Sequence, residues 1–342
     1  MVRLALIGCA DELASLAQLT QRVRGAEVTA VVDRLAPMAR CAASAIKAKI
    51  AVHNFDQLLY EHRAEFDAVI IQSSSDRAVV AICQAATSAG KHILVRNSFN
   101  FSATALVEII TTCSVAGARL ILGQASRFQP SVQAVKKSLD LGQLGEPGLV
   151  RIHNWESSTF HDGDRISMDS DQPATAPVFK RLAVQLDLVC WLFGDAPTSV
   201  FAQSRDRSDG RGNECDYVQA HLGFTQGGMA LIDCAQTLLP GGGYFSLSLI
   251  GSKGAAYADD HHNMQLLFAG GNPNALCAGQ TDLTTVAQLQ EFVTSLNENR
   301  ESMIPGADIL RAIRIAETVA ESLSTQQAFR RTNQNYNAVF TT

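Results

Sequence analysis

The first third of the chain alternates short apolar runs with longer segments of helical periodicity. The apolar runs are typical of parallel strands buried on both faces, and they lie at Val2–Ile7, Glu27–Val32, Ile50–Val52, Phe66–Ile71, Lys91–Val95 and Arg119–Leu122. Between them, apolar residues at helical spacing predict helices at Asp11–Val23, Ala36–Lys49, Asp56–Arg63, Arg77–Ala89 and Thr104–Ala116. Strands and helices that alternate through short loops predict a doubly wound parallel sheet.

The pattern changes after Gly123, where we place a domain boundary between residues 123 and 124. Polar and apolar residues then alternate, as they do in an antiparallel sheet with one wetter face. This alternation predicts strands at Leu149–Trp155, Thr198–Ser204, Tyr217–Phe224, Met229–Ala235, Phe245–Ile250 and Ala255–Tyr257. Further helices are predicted at Pro130–Leu141, Val178–Phe193, Leu283–Glu298 and Asp308–Leu323, and the tail from Gln326 is expected to fray.

The opening of the chain reads as strand, tight turn, helix and strand. The first strand stops at Gly8, and the second apolar run ends at Asp33. In a dinucleotide-binding Rossmann unit the helix N-terminus holds the pyrophosphate, and a carboxylate after the second strand hydrogen-bonds the ribose hydroxyls. We therefore predict cofactor contacts from Gly8, Ala10 and Asp11 at the turn, and from Asp33 and Arg34 at the ribose.

The glycine signature of this turn is incomplete. The expected G-x-G-x-x-G/A reads GCADEL here, so only Gly8 remains. Ala10 places a methyl group where the backbone should approach phosphate, and Asp11 and Glu12 place negative charge where it repels a pyrophosphate. Two alternatives stay open: weak binding of the cofactor, or a Rossmann unit that binds no nucleotide.

The composition is that of an ordinary soluble globular protein. Of the 342 residues, 46% are hydrophobic and 18% are charged, and the length suits two domains. A net charge of −5 offers no basic field for nucleic acid. No apolar run approaches the ~18 residues of a membrane span, so a membrane is not an expected partner either. The eight cysteines are scattered without metal-ligand spacing, which favours buried thiols in a reducing cytoplasm and no metal site.

Several short stretches carry a resemblance to a known family. They are AGKHIL at 89–94, RFQP at 127–130, LGEP at 144–147, DLVCWLFG at 187–194 and GSKG at 251–254. They resemble motifs of the Gfo/Idh/MocA family, which includes glucose–fructose oxidoreductase and inositol dehydrogenases. The resemblance implies a Rossmann domain at 1–123, followed at 124–342 by an open-faced mixed or antiparallel sheet with helices on one face. The second domain would bind substrate and form a homo-oligomer.

The resemblance also implies a cofactor, NAD or NADP, and a small sugar or polyol substrate bound between the domains. Asp33 favours NAD because a carboxylate repels a 2′-phosphate, whereas Arg34 leaves NADP open. The family contacts the nicotinamide ribose with small polar residues, and this chain has Ser73 and Ser74 there. Arg96 is expected to contact the cofactor or an anionic substrate.

The catalytic positions depart from the family pattern. The family strand runs into E-K-P, whose lysine hydrogen-bonds the substrate hydroxyl, and Asn97 stands at the lysine position. The family helix D-x-x-x-H-x-x-D carries the acid/base histidine, and here the three positions are Lys180, Val184 and Asp187. Asn97 has no useful titration and Val184 cannot transfer a proton, so the usual proton donors are missing.

Two interpretations of these positions remain. In the first, the active site is rebuilt: Lys180 supplies the lost ammonium, Asp187 holds it, and Arg96 or Arg127 orients an anionic substrate. The structural alternative for Lys180 and its neighbour Arg181 is a solvated helix start, and for Asp187 a cap or salt bridge. In the second interpretation, the protein keeps the scaffold and binds a ligand or nucleotide without catalysis.

Apolar strand positions in the second domain exceed what one covered sheet face needs. Together with the family's habit of burying this sheet in a dimer, they predict a homo-oligomer built on the strands. The positions in question are Val218, Ala220, Leu222, Met229, Leu231, Phe245 and Leu247.

Overall fold

The computed structural model describes residues 1–8, 10–72, 75–157, 177–206, 215–238, 243–260, 264–268, 274–277, 283–331 and 336. The chain forms two compact units. The first comprises Met1–Phe128 with Asp282–Leu310, and the second comprises Gln129–Thr281 with Arg311–Thr342. The functional boundary at residue 123 stays a prediction. By packing, the first break falls after Phe128, and residues 282–310 return to the first unit.

The helices in the described part of the chain lie close to the predicted segments. They are α1 Ala10–Thr20, α2 Ala36–Ile46, α3 Phe55–His62, α4 Asp76–Ser88, α5 Ala103–Val115, α6 Pro130–Asp140, α7 Pro177–Phe193, α8 Leu283–Asn297 and α9 Gly306–Thr325. None of them is long and apolar enough to cross a membrane. Side-chain caps begin several helices: Asn54 accepts from the Gln57 amide at 2.7 Å before α3, for example.

The first unit is built on a six-stranded parallel sheet. Its strands are β1 Val2–Gly8, β2 Ala26–Asp33, β3 Ile50–Val52, β4 Ala68–Ile71, β5 His92–Val95 and β6 Leu120–Leu122. Their order in the sheet is β3-β2-β1-β4-β5-β6, which is the doubly wound dinucleotide-binding order. All four residues of β4 are buried, because helices cover both faces of a parallel sheet, and this explains its continuous apolar run. The predicted fold of this part is confirmed.

Helix α8 joins this unit although it lies late in the sequence. Its residues Leu289, Phe292 and Val293 pack in one core with Leu4 and Leu6 of β1. The late helix thereby completes the cover of the first sheet.

The second unit is built on a nine-stranded mixed sheet. Its strands are β7 Pro147–Ser157, β8 Ser199–Asp206, β9 Cys215–Gly223, β10 Met229–Leu238, β11 Tyr244–Gly251, β12 Ala255–Asp259, β13 Met264–Phe268, β14 Asn274–Cys277 and β15 Phe329–Arg330. The order is β14-β13-β12-β11-β7-β10-β9-β8-β15. Only the pairing of β7 with β10 is parallel within the described sheet, so the predicted mixed sheet is confirmed. The short strands β13, β14 and β15 were not predicted from the sequence. Where we expected a frayed tail, β15 pairs with β8.

The two faces of this sheet differ in cover. Helix α7 packs against β7, β9 and β10, and Val150 and Ile152 of β7 are buried on that face. The opposite face, called the outer face here, exposes Arg151. Five of the strand residues predicted to drive assembly are instead core residues on the helix-covered face: Val218, Ala220, Leu222, Phe245 and Leu247. The alternation of side chains along a strand puts only Met229 and Leu231 of that set on the outer face.

Two of the stretches that carry the family resemblance contact each other. The amide of Lys253 donates to the carbonyl of Leu144 at 3.0 Å, and the amide of Ser252 donates to the carbonyl of Glu146 at 2.9 Å. A side chain on Gly251 would collide with the Leu144 carbonyl. The LGEP and GSKG stretches are therefore structural: they fix the hairpin between β11 and β12 against the start of β7.

Candidate functional site

The turn after β1 brings Gly8 beside Asp33. The two residues are register partners at the carboxyl ends of β1 and β2. A Cβ on Gly8 would lie 2.8 Å from Cδ1 of Leu13, so a larger residue would require the Leu13 side chain to shift. Leu13 is fully buried there, which leaves α1 starting directly after the turn. The side chains of Ala10 and Asp11, in the first turn of α1, lie outside the described residues.

The carboxylate of Asp33 is only half satisfied. Asp33 is 2% exposed, and its Oδ1 accepts a hydrogen bond from the Leu35 amide at 2.8 Å. Its Oδ2 is buried and has no hydrogen-bond partner among the described residues. An unpaired buried carboxylate oxygen is costly, and a donor supplied by a ligand would remove that cost. Arg34, the next residue, is exposed.

Backbone hydrogen bonds fix the segments that follow three neighbouring strands. The amide of Gln72 donates to Ile7 at 2.7 Å, and the amide of Arg96 donates to Ile71 at 2.9 Å. The amide of Gly123 donates to Val95 at 2.7 Å. Gly8, Asp33, Gln72, Arg96 and Gly123 therefore all lie at the carboxyl edge of the sheet, where doubly wound folds bind ligands. Ser73 and Ser74 lie outside the described residues.

Asn97 occupies a left-handed backbone conformation after β5. Its φ and ψ are 53° and 41°, and its side chain is exposed. A Cβ on Gly123 would lie 3.0 Å from the Arg96 Cα and 3.3 Å from the Asn97 nitrogen. The segment after β6 thus lies close to the Arg96–Asn97 backbone. Gly123 allows this approach because it has no side chain, and asparagine is among the residues that tolerate the left-handed conformation at position 97.

The predicted catalytic residues of the second unit lie on α7. Asp187 is fully buried, whereas Lys180 and Val184 are half-buried. Lys180 and Asp187 stand seven residues apart, which is two turns along one side of the helix. The structure brings them to one helix face, as predicted from their spacing.

Arg181 has a defined partner rather than a solvated position. Its Nη2 lies 2.8 Å from Oε2 of Glu156, near the end of β7. The sequence reading of Arg181 as a solvated helix start is therefore wrong, because an acidic residue of the neighbouring strand reaches it.

Arg127 is a structural residue of the first unit. It is almost fully buried, and its Nη2 lies 2.9 Å from Oδ2 of Asp308. The pair ties the short 3₁₀ helix before α6 to the start of α9. Its burial argues against the predicted role of Arg127 in orienting an anionic substrate.

Two family models match the chain. The model of the oxidoreductase family with an NAD-binding Rossmann fold, GFO_IDH_MocA, matches residues 2–124. The model of the GFO/IDH/MocA C-terminal domain matches residues 132–257. The chain belongs to the Gfo/Idh/MocA oxidoreductase family.

The matches to individual proteins extend over both units of the chain. The inositol 2-dehydrogenase of Rhizobium meliloti is 25% identical over 309 residues, which is 87% of this chain and 90% of that protein. An oxidoreductase from Agrobacterium radiobacter, solved with NAD+, L-tartaric acid and magnesium, has a TM-score of 0.83 at 18% identity over 96% of this chain and 98% of that one. The scyllo-inositol dehydrogenase of Lactobacillus casei, solved with NAD(H) and scyllo-inositol, has a TM-score of 0.79 at 16% identity over 96% and 99%. At these identities the solved structures establish the fold.

One feature of the described residues of this Gfo/Idh/MocA chain fits a dinucleotide, namely an acceptor for the ribose hydroxyls. The orphaned Oδ2 of Asp33 stands at the end of β2, where a Rossmann fold places the ribose hydroxyls. In the described part of the chain no three His, Cys, Asp or Glu side chains are grouped to hold a metal ion. Cys83, Cys113, Cys190 and Cys234 are buried, as expected, whereas Cys41 is exposed.

Glu156 and Gln185 were not singled out from the sequence. Glu156 lies one residue beyond the predicted strand Leu149–Trp155, with no motif around it, and Gln185 lies in an apolar helix pattern. A glutamine in the buried stripe of α7, one turn after Arg181, was the available signal.

Proposed function

We propose that this chain is an oxidoreductase that uses a nicotinamide dinucleotide and acts on a small sugar or polyol. The observation that carries the proposal is the buried Asp33 carboxylate: one oxygen accepts from the Leu35 amide, and the other has no hydrogen-bond partner among the described residues. Asp33 would bind the adenosine ribose through its hydroxyls, and the start of α1 after Gly8 would face the pyrophosphate. When bound, the nicotinamide supplies a hydride acceptor or donor.

NAD is the proposed cofactor because Asp33 would repel a 2′-phosphate. The turn keeps only one glycine of the signature, so we expect the binding to be weak. Relatives named as inositol dehydrogenases support a polyol as the substrate class. On the substrate side, Lys180 would act as proton donor or acceptor, Asp187 would position it, and Asn97 and Arg96 would contribute hydrogen bonds.

The residue types at 97, 180 and 184 favour a second candidate function. Asparagine and valine replace the lysine and histidine that the family motif predicts, and lysine replaces an aspartate. A protein with these replacements would keep a ligand-binding scaffold and lose dehydrogenase activity. The two candidates differ in turnover and agree on binding.

Cofactor titration tests the proposal first, and turnover then separates the candidates. Thermal unfolding with NAD+, NADH, NADP+ and NADPH should show stabilisation by the NAD pair. Reduction of NAD+ by myo-inositol or other polyols at saturating cofactor would support the enzyme. Stabilisation without any turnover would favour the binding protein, and no stabilisation by either cofactor pair would contradict the oxidoreductase.

A further inference from the structure

Glu156 and Arg181 form an ion pair on the helix-covered face of the second sheet. Trp155 makes ring contacts with His153 and Tyr244, so the next residue of β7 points to the opposite, helix-covered face. The pair lies close to Cys234 of β10: burial raises the pKa of that thiol, Glu156 adds to the rise and Arg181 opposes it. The Glu156–Arg181 ion pair thus links β7 to α7 near the carboxyl end of β7.

Two atoms beside this ion pair lack hydrogen-bond partners in the described chain. They are Nη1 of Arg181 and Oε1 of Gln185, and both atoms are buried. Gln185 is 3% exposed, and it is its Oε1 that lacks a partner among the described residues. It follows Arg181 by one turn of α7, so the two side chains lie on the same side of the helix.

An unpaired buried donor and an unpaired buried acceptor one helix turn apart are costly without a ligand. One hydroxyl group satisfies both, because it accepts from Nη1 and donates to Oε1. The Glu156 carboxylate is 43% exposed, so it can accept from a second hydroxyl while it holds Arg181. Two neighbouring hydroxyls of a polyol could use all three groups: the first would bind Arg181 Nη1 and Gln185 Oε1, and the second would donate to the Glu156 carboxylate.

We infer that Arg181, Gln185 and Glu156 form a hydroxyl-binding cluster that orients a polyol in the second unit. This inference rests on the proposed function, since it takes its ligand class from the proposed substrate. These residues lie outside the motif positions Lys180, Val184 and Asp187. They would set which hydroxyl is presented for reaction, and their effect would appear in binding. A single trapped water is the structural alternative for the two unpaired atoms.

Substitution of Gln185 tests the cluster by binding rather than by activity. Apparent Kd values for myo-inositol and D-glucose are measured from thermal-shift titrations of the full chain at saturating NADH. Gln185→Leu should weaken polyol binding about tenfold, since one hydroxyl loses its acceptor. Removal of an unpaired buried amide oxygen should leave the ligand-free protein about as stable as wild type. Glu156→Gln provides a second variant, with weaker polyol binding expected and the side-chain shape kept.

Gln288→Leu is the matched control. Gln288, on α8 in the first unit, is 2% exposed and its Nε2 also lacks a partner among the described residues. It should bind polyols like wild type. Equal affinity in wild type and Gln185→Leu would overturn the inference and leave a trapped water. Stabilisation by NADH without any polyol binding would overturn the cluster alone, whereas binding of neither NAD(H) nor polyol would overturn the proposed function with it.

Discussion

Oδ1 of Asp33 accepts a hydrogen bond from the Leu35 amide at 2.8 Å, and this bond fixes the carboxylate at the end of β2. The carboxylate is therefore oriented before any ligand arrives, with Oδ2 buried and unpaired among the described residues. Preorganisation of this kind lowers the cost of binding a donor. If the ribose binds there, as proposed, the same carboxylate would repel a 2′-phosphate.

Asp33→Asn should weaken NADH binding by about tenfold or more, because a charge-assisted hydrogen bond to the ribose is replaced by a weaker one. The preference of NADH over NADPH should shrink in the same variant, since the repulsion of the 2′-phosphate is lost. Calorimetric titration measures both affinities. Asp56→Asn, which changes an exposed aspartate in the first turn of α3, serves as the control. Tighter NADPH binding by wild type would contradict the argument and implicate Arg34.

The parallel sheet and the position of Asp33 at the end of β2 could be predicted because both leave local signals. A strand buried on both faces, such as β4, is an apolar run of four to six residues, and Asp33 ends one of those runs. The mixed sheet was also foreseeable where strands alternate over eight or more residues, as β9 does.

Features that depend on distant partners could not be read from the sequence. Strand β15 has two residues, and only its pairing with β8 makes it a strand. Helix α8 was predicted as a helix, but its packing against β1 joins residues almost 290 positions apart. The contact of Arg181 with Glu156 has the same origin, because neither residue is unusual where it stands in the chain.

Asn97 should be replaceable by glycine and not by valine. With φ at 53°, a β-branched residue would be strained by roughly 1–2 kcal/mol, whereas glycine adopts this conformation freely. Urea denaturation should therefore place Asn97→Gly near wild type and Asn97→Val below it by about that amount. Equal stability of the two variants would show that the left-handed conformation is not maintained in solution.

The pairing of Arg3 with Asp67 should make stability depend on pH in the acid range. The hydrogen bond from Arg3 holds the pKa of Asp67 below its usual value of 3.8. A carboxyl whose pKa is lower in the folded state adds stability above the unfolded pKa and loses it as pH falls through the folded one. Asp67→Asn should thus be less stable than wild type at pH 7, with the gap closing below pH 3.8. The gap should be small and should shrink with salt, because the side chains are 37% and 39% exposed.

The outer face of the second sheet should mediate self-association. Met229 and Ile250 are both register partners of Leu149, and they are 57% and 52% exposed. A row of exposed apolar side chains across neighbouring strands is characteristic of an interface. Light scattering should report at least a dimer for wild type and a lower mass for Met229→Glu with Ile250→Glu. Tyr60→Glu, at a 91% exposed position of α3, should keep the wild-type mass. A wild-type monomer at micromolar concentration would contradict the prediction.

The chemistry should differ from that of an ordinary polyol dehydrogenase. Oxidation of a hydroxyl needs a base held within about 3 Å of its oxygen, and neither Asn97 nor Val184 supplies one. With those two groups missing, NAD-linked turnover of myo-inositol or glucose by wild type should be slow under the proposed function and absent under the second candidate function. Any turnover that occurs should be lost in Lys180→Ala. Positions 97, 180 and 184 differ from the family motif, and Lys180 is the titratable residue among them.

Restoring the two family residues asks the same question in the opposite direction. Asn97→Lys combined with Val184→His supplies an ammonium and an imidazole, and general acid–base catalysis is worth about 10²–10⁴ in rate. If the scaffold still binds cofactor and polyol, the double variant should turn over faster than wild type. Lysine at the left-handed position should cost about 1 kcal/mol of stability, so its folding is checked by urea denaturation before the assay. The single Val184→His variant is the matched control, since it adds the base without the strain. Fast polyol oxidation by wild type that Lys180→Ala leaves unchanged would show that the reacting groups lie elsewhere.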